Sequence, residues 1–206
     1  MLETIDLACV RGDRALFSGL NAAVAPGQLL AIVGENGSGK SSLLRMLCGL
    51  FPRERGVIQW NGTDIDQLRD DYTRNLTYLG HLNGIKDDLT PVENLQLSAR
   101  LFGDDSSVVS VREALQAVGL GKQTQGLPTR VLSQGQKRRV ALARLWLSRR
   151  PLWILDEPFA ALDEGGITLL THRFKRHLDA GGMAVVATHQ EIELPRESLR
   201  YLRISG

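Results

Sequence analysis

The chain has 206 residues, with 25 lysines and arginines against 23 aspartates and glutamates, so its formal net charge is only +2. This length is sufficient for one domain with a full hydrophobic core, and so small a charge gives no reason to expect a nucleic-acid partner. No apolar run approaches the ~20 residues that a membrane-spanning helix needs. Because acids come early at the amino terminus and no long apolar segment follows them, we expect no secretory signal there.

The first elements in chain order are predicted strands. Residues 2–10 and 16–24 have strand character and are separated by a turn at 11–14. Further strands are predicted at 56–60, before an Asn-Gly turn, and at 76–79. The two cysteines form no close pair and no metal pattern, so we expect them to be buried as small hydrophobic residues.

A glycine-rich loop lies between an apolar strand at 29–33 and a segment of helical spacing that begins at Ser42. The residues of this loop are Gly34, Glu35, Asn36, Gly37, Ser38, Gly39, Lys40 and Ser41. Glycines allow backbone N–H groups to surround a polyphosphate, and the start of a helix adds partial positive charge. A turn that only links strand to helix is the alternative, but every fixed position of the phosphate-loop pattern is filled. The sequence therefore predicts binding of a nucleoside triphosphate such as ATP, with Lys40 bridging the β and γ phosphates, Ser41 ligating Mg²⁺, and Ser42 completing the binding residues.

The middle of the chain changes to helical spacing. From Pro91 apolar residues recur at helical intervals, with a break predicted at 103–107. We expect a single domain in which residues 91–129 form a helical lobe inserted into a core of residues 1–90 and 130–206. The lobe is expected to continue into the helix that follows it.

Two acids, Asp156 and Glu157, end an apolar strand that begins at residue 152. Ligands bind at the carboxyl ends of strands in open α/β sheets. Loop carboxylates are common, but beside a phosphate loop this pair suits particular roles: Asp156 holds Mg²⁺ through its water shell and Glu157 polarises the water that attacks the γ phosphate. A further strand at 183–187 leads to His189. Alternating strands and helices predict a mainly parallel sheet.

The segment 132–136, Leu-Ser-Gln-Gly-Gln, is predicted to start a helix that Ser133 caps through Gln136. It resembles the signature motif of ABC transporters and precedes the acidic pair by about twenty residues. Over essentially its whole length the chain resembles the nucleotide-binding subunit of that family. The resemblance implies an α/β fold, a P-loop NTPase of ABC type with a mainly parallel core sheet, an antiparallel β subdomain and an inserted α-helical lobe.

The resemblance also implies a second copy of the chain as a partner. Two copies would pack head to tail, so that each ATP lies between the phosphate loop of one copy and the signature motif of the other. Asp163 would lie in the loop that crosses the interface, and His189 would contact the γ phosphate and help orient the water, unless it is only a strand-end histidine bonded to the backbone. The residues implied to bind ATP from the opposite copy are Ser133, Gly135 and Gln136.

Two positions depart from the family pattern. The glutamine that senses the metal-bound water is replaced by His81, whose neutral imidazole could still accept a hydrogen bond from that water. Alternatively, His81 only packs or contacts a partner. At the position of the adenine-stacking aromatic residue stands Arg11, which could stack through its guanidinium plane or could be a solvated turn residue.

Within the family the chain is similar to the haem-exporter ATPases of bacterial cytochrome c maturation. The features that carry this resemblance are the short length, residues 144–147 and 152–162, and the Gly-Ile-Lys sequence at 84–86 after His81. It implies peripheral attachment to the cytoplasmic face of the inner membrane through the integral-membrane subunit CcmB, with CcmC and CcmD nearby, and release of the haem-loaded chaperone CcmE. The alternatives are the ATPase of another exporter, for lipoproteins or drugs, and a soluble ABC ATPase that acts as a switch on ribosomes or DNA.

Overall fold

A computed structural model describes residues 1–204 of the chain. Within those residues, every helix is too short or too polar to cross a membrane. In chain order the helices and strands are β1 (Leu2–Arg11), β2 (Arg14–Val24), β3 (Leu29–Val33), α1 (Lys40–Leu47), β4 (Arg55–Trp60), β5 (Thr63–Asp64), α2 (Ile65–Leu68), α3 (Asp70–Thr73), β6 (Leu76–Leu79), α4 (Pro91–Phe102), α5 (Val108–Ala117), α6 (Lys122–Gln125), α7 (Gln134–Leu142), α8 (Arg144–Leu147), β7 (Leu152–Asp156), α9 (Glu164–Asp179), β8 (Met183–Ala187) and β9 (Leu199–Arg203).

The amino-terminal strands form an antiparallel sheet in the order β2-β1-β4-β5. The predicted hairpin is confirmed, but its strands are longer than predicted, because Arg11 pairs with Arg14 at the end of the ladder. Gly12 has φ of +60°, a value that glycine adopts without strain and that allows so tight a turn.

A second sheet has the strand order β6-β7-β8-β3-β9. β3 pairs in parallel with β8 and β9, and β7 pairs in parallel with β8, as predicted. All five residues of β7 and of β8 are buried. Strand β9 was not predicted, because Arg200 and Arg203 interrupt its apolar pattern; nor were the short helices α2, α3 and α6.

The chain divides into two compact units. The first, here called the phosphate-loop unit, contains Met1–Tyr78, Arg150–Glu157 and the residues from Lys175 on. The second, here called the signature unit, contains Leu79–Arg149 and Pro158–Phe174. These boundaries differ from the predicted division at 91 and 129, which stays a prediction.

Each unit has its own hydrophobic core. In the phosphate-loop unit, Leu30 and Ile32 of β3 pack with Leu43 and Leu44 of α1. Both cysteines of that unit are buried and free, as predicted. In the signature unit, Leu95 of α4 packs in a cluster with residues of α5 and α7.

The helix that follows the signature motif differs in one detail from the prediction. A continuous helix was expected through Leu147, but it ends at Leu142 and resumes as α8 after Ala143. There the Trp146 N–H donates to the carbonyl of Ala143, three residues earlier and not four, which is the spacing of a 3₁₀ turn. The side chain of Arg173 donates to the carbonyl of Leu145 at 2.7 and 3.1 Å, which satisfies an acceptor near the end of this helix.

Candidate nucleotide-binding site

The phosphate loop joins the carboxyl end of buried strand β3 to the start of α1. The helix begins at Lys40, earlier than predicted, and Gly39 directly before it has φ of +104°. A Cβ at Gly39 would come within 3.1 Å of the Leu16 and Phe17 side chains. Glycine is therefore required here both by the backbone conformation and by the closeness of β2.

The ammonium group of Lys40 lies across the loop. Its Nζ donates to the carbonyl oxygens of Gly34 at 2.8 Å and of Glu35 at 3.0 Å, and the residue is 7% exposed. The buried hydroxyl of Ser38 has no hydrogen-bond partner among residues 1–204. A held ammonium, a helix start and small loop residues form a donor set that suits a polyphosphate.

A cavity of about 240 Å³ opens beside the loop. It is lined by Arg14, Gly34, Glu35, Asn36, Ser38, Arg203 and Ile204. Arg11, predicted to stack on adenine, is exposed and is not among these lining residues. Sequence reasoning missed Arg14 and Arg203, since neither lies in a recognisable motif.

The two acids sit at the end of β7, as predicted. Asp156 is 2% exposed, and the N–H of Glu157 donates to the carbonyl of Ala187 at 2.9 Å, which fixes the chain where the strand ends. Glu157 has φ of +48°, an uncommon value for a residue with a side chain. Such a conformation persists only when surrounding contacts impose it, and residues of this kind cluster at functional sites.

His189 meets Glu157 and the phosphate loop. Its Nε2 lies 3.0 Å from Oδ1 of Asn36 and 3.4 Å from Oε1 of Glu157, and its side chain is 49% exposed. These contacts go to side chains, which differs from the alternative of a histidine bonded to the backbone. The structure thus brings together three predicted site residues that are distant in sequence.

The predicted Mg²⁺ ligands fit the ion's known preferences. Ser41 lies in the first turn of α1, and Asp156 ends a strand of the sheet in the same unit. Among residues 1–204 no group of three or more histidine, cysteine or acidic side chains is placed to hold a metal. Mg²⁺ bound with a nucleotide needs few protein ligands, since phosphates and waters supply the others, so this donor set fits the ion.

The signature motif begins α7 in the signature unit. Ser133 Oγ accepts from the N–H of Gln136 at 3.2 Å, and Gln136 Oε1 accepts from the N–H of Ser133 at 2.9 Å, which confirms the predicted cap. A Cβ at Gly135 would lie 2.8 Å from the carbonyl oxygen of Ala161. Only glycine therefore fits at this point without moving the backbone.

Asp163 follows the same region of the signature unit. Its Oδ1 accepts from the N–H of Gly166 at 2.8 Å and pairs with the guanidinium of Arg139. The hydrogen bond from Gly166, followed by the charge of Arg139, lowers the pKa of Asp163. This carboxylate is therefore held by its own unit before any partner is present.

His81, the predicted substitute for glutamine, is exposed in the signature unit. It does not pack in that unit's core. Its exposure makes the imidazole accessible to a metal-bound water or to a partner, and its role stays a prediction.

Comparison with known proteins identifies the class. A family model described as ABC transporter matches residues 17–160. The chain belongs to the ABC transporter family, and it is an ABC-type ATPase that binds nucleotide. The predicted fold class is confirmed by solved cassettes: an ATP-binding subunit of an ABC transporter matches with TM-score 0.84 and 26% identity, covering 100% of this chain and 88% of that one.

Curated relatives define the branch within that class. The chain is 52% identical to the cytochrome c biogenesis ATP-binding export protein CcmA of Nitrosospira multiformis, over 99% of this chain and 98% of the relative. It is 51% identical to the protein of the same name from Dechloromonas aromatica, over 99% and 100%. A dimeric cassette, MJ0796 bound to ADP and Pi, shares the fold with TM-score 0.81 at 23% identity, covering 100% of this chain and 97% of that one.

Proposed function

We propose that the chain is the ATP-hydrolysing subunit of a bacterial membrane ABC complex for haem export and cytochrome c maturation. In this role it resides at the cytoplasmic face of the inner membrane, attached through CcmB with CcmC and CcmD nearby. Its cycle drives release of the haem-loaded chaperone CcmE. The observation that carries the proposal is the near-full-length identity of about half the residues to relatives named CcmA.

The geometry of the phosphate-loop unit supports the hydrolytic step. Lys40 supplies a cation to the phosphates, and the loop and the start of α1 orient them. Glu157 is the general base: it accepts a proton from the water that attacks the γ phosphorus as the bond to the leaving ADP oxygen breaks. His189, 3.4 Å from Glu157, donates through Nε2 to a γ phosphate oxygen and limits the positions that the water can take.

Mg²⁺ would be held by Ser41 directly and by Asp156 through water. When bound, the ion neutralises charge on the β and γ phosphate oxygens. The burial of Asp156 supports this role, because a buried carboxylate at a strand end favours a nearby cation. His81 would accept a hydrogen bond from a water of the same ion.

The signature unit supplies groups for a second copy. Ser133 uses its oxygen as an acceptor within the cap, so its hydroxyl hydrogen remains available to donate to a γ phosphate. The start of α7 adds partial positive charge at the same point. In this proposal Ser133, Gly135 and Gln136 of one copy close on ATP held by the other, with Asp163 at the interface, and hydrolysis separates the copies.

Exposed apolar side chains in the signature unit support docking to a membrane subunit. Leu82, Leu101 and Val109 are each more than half exposed. Large apolar side chains that remain exposed are available for contact with a protein partner. The segment 82–86 and the start of α4 near Val92 are the proposed coupling surface.

Complementation tests the whole proposal. In a bacterium that lacks its own CcmA, the wild-type chain is expected to restore covalent haem in c-type cytochromes on a haem-stained gel. The Glu157→Gln variant is expected to fail, and His172→Gln, at an exposed position of α9, is the matched control that should succeed. If the wild-type chain fails to restore covalent haem, the proposal is wrong. Co-purification of the chain with a lipoprotein or drug exporter subunit, or with ribosomes, in place of CcmB would then favour the corresponding alternative.

A further inference from the structure

The side chain of Asn36 reaches from the phosphate loop to His189. Asn36 is exposed at the loop's tip, and its Oδ1 lies 3.0 Å from Nε2 of His189. The backbone of this loop is what surrounds a polyphosphate, so nothing in nucleotide binding requires an amide side chain here. The contact of this amide with His189 therefore has to be explained separately from nucleotide binding.

The groups around His189 determine which ring nitrogen carries the hydrogen of the neutral imidazole. The two atoms that face Nε2 are both oxygens, Oδ1 of Asn36 at 3.0 Å and Oε1 of Glu157 at 3.4 Å. A carboxylate only accepts, so in the neutral ring Nε2 carries the hydrogen and Nδ1 does not. The same argument orients the Asn36 amide, since its NH₂ group would oppose the N–H of the ring.

We infer that Asn36 is a positioning residue for ATP hydrolysis: its amide oxygen holds His189 as the Nε2–H tautomer, aimed at the tip of the phosphate loop, before nucleotide arrives. The inference rests on the proposed roles of Glu157 and His189. Oxygens of a γ phosphate are acceptors, so they need a donor from His189, and a lone pair on Nε2 would repel them. When ATP binds, the Nε2 hydrogen is shared between the Asn36 oxygen and a phosphate oxygen, so Asn36 still orients the ring during hydrolysis.

Asn36 adds what Glu157 alone does not supply. Its contact is the shorter of the two, and the amide belongs to the loop that would hold the phosphates. It therefore ties the direction of the imidazole to the position of the phosphates, and preorganised geometry of this kind raises the rate of the chemical step rather than the affinity for substrate.

The first test measures the tautomer in nucleotide-free protein by ¹⁵N NMR of histidine-labelled chain, with the His189 signals assigned by their absence from His189→Gln. Because Glu157 can hold the same proton, the comparison is made in a Glu157→Ala background, which has no side-chain acceptor at that position. There we expect Nε2–H to persist with Asn36 intact. It should also persist in Asn36→Asp, an isosteric acceptor, and give way to a mixture with Nδ1–H in Asn36→Leu, which has a similar shape and no acceptor.

The second test measures kinetics with Glu157 intact. Asn36→Leu is expected to lower kcat for ATP hydrolysis by about five- to tenfold, the effect of one orienting hydrogen bond, while KM for ATP stays within about twofold. A parallel fall in nucleotide affinity would instead indicate a structural role in the loop and overturn the inference.

The two tests separate this inference from the proposed function. The tautomer is measured without nucleotide. A chain that has no ATPase activity but shows the expected signals would therefore contradict the proposed function and support the Asn36–His189 contact. If the chain is an active ATPase but the Asn36→Leu variant keeps the Nε2–H tautomer and an unchanged kcat, the positioning role of Asn36 is wrong and the proposed function is unaffected.

Discussion

The phosphate-loop unit and the signature unit hold their site residues in different ways. In the first, buried strands end at Asp156 and at the phosphate loop, and Lys40 is almost fully buried. In the second, Ser133 stands exposed at the start of a helix and is satisfied by Gln136 of that same helix. The first arrangement suits chemistry that needs fixed distances, and the second suits a surface that awaits a ligand from elsewhere.

The largest effect is expected from a change that stops ATP hydrolysis in the phosphate-loop unit and leaves the signature unit unaltered. Glu157→Gln should lower ATP turnover by roughly 10²–10⁴-fold, the usual contribution of a general base, while ATP binding is kept because the loop is intact. The variant should accumulate as an ATP-bound dimer, measured by light scattering with size-exclusion chromatography. Undiminished turnover would remove Glu157 from the mechanism.

A second change tests the signature unit. Gly135→Ala places a Cβ 2.8 Å from the Ala161 carbonyl, so the backbone must move, and ATPase activity should fall by about 10- to 100-fold. Nucleotide binding by the monomer should be unchanged, as measured by titration calorimetry. Gly121→Ala is the matched control in the same unit, because a Cβ there meets nothing within 4 Å. Equal activity of both variants would contradict the role of Gly135.

A third change tests whether His81 contacts a metal-bound water or a partner protein. His81→Gln should keep ATPase activity, since the amide oxygen can accept from a metal-bound water, and His81→Leu should lose about tenfold, the effect of one hydrogen bond. The measurement is kcat over a range of Mg²⁺ concentrations. If the leucine variant hydrolyses ATP normally but no longer binds the membrane subunit, His81 is a contact for a partner.

The smallest expected effect concerns pH. Because the pKa of Asp163 is lowered in the folded chain, its ionised form stabilises the fold above the unfolded pKa, and this contribution is lost as pH falls through the folded pKa. Asp163→Ala should therefore melt below the wild type near neutral pH, with the gap closing in acid, as measured by calorimetry. A gap that is constant with pH would exclude ionisation as the cause.

The sequence predicted the elements whose patterns are local. Strands β3 and β8 match their predicted bounds, and the break between α4 and α5 falls at residues 103–107 as expected. The capping box at Ser133 was also foreseen, because it depends on residues three positions apart. Strand β9 was missed, because its place beside β3 comes from tertiary pairing and not from its own alternation.

The contacts at the site show the same limit. Motif spacing assigned Glu157 and His189 to the hydrolytic site, but no spacing rule could indicate that Asn36 meets His189 across 153 positions of sequence. Arg14 and Arg203 likewise line the cavity beside the loop because two strands from opposite ends of the chain meet there. Such neighbours follow from topology, which a single sequence specifies only through the whole fold.

The resting contacts of Lys40 have a kinetic consequence. Two carbonyls of the loop hold the ammonium before any nucleotide is present. Capture of a nucleotide then exchanges one set of oxygen acceptors for another without first ordering a disordered segment, so little conformational entropy is lost in the encounter. The association rate constant should accordingly be governed by diffusion and charge rather than by a slow rearrangement of the loop.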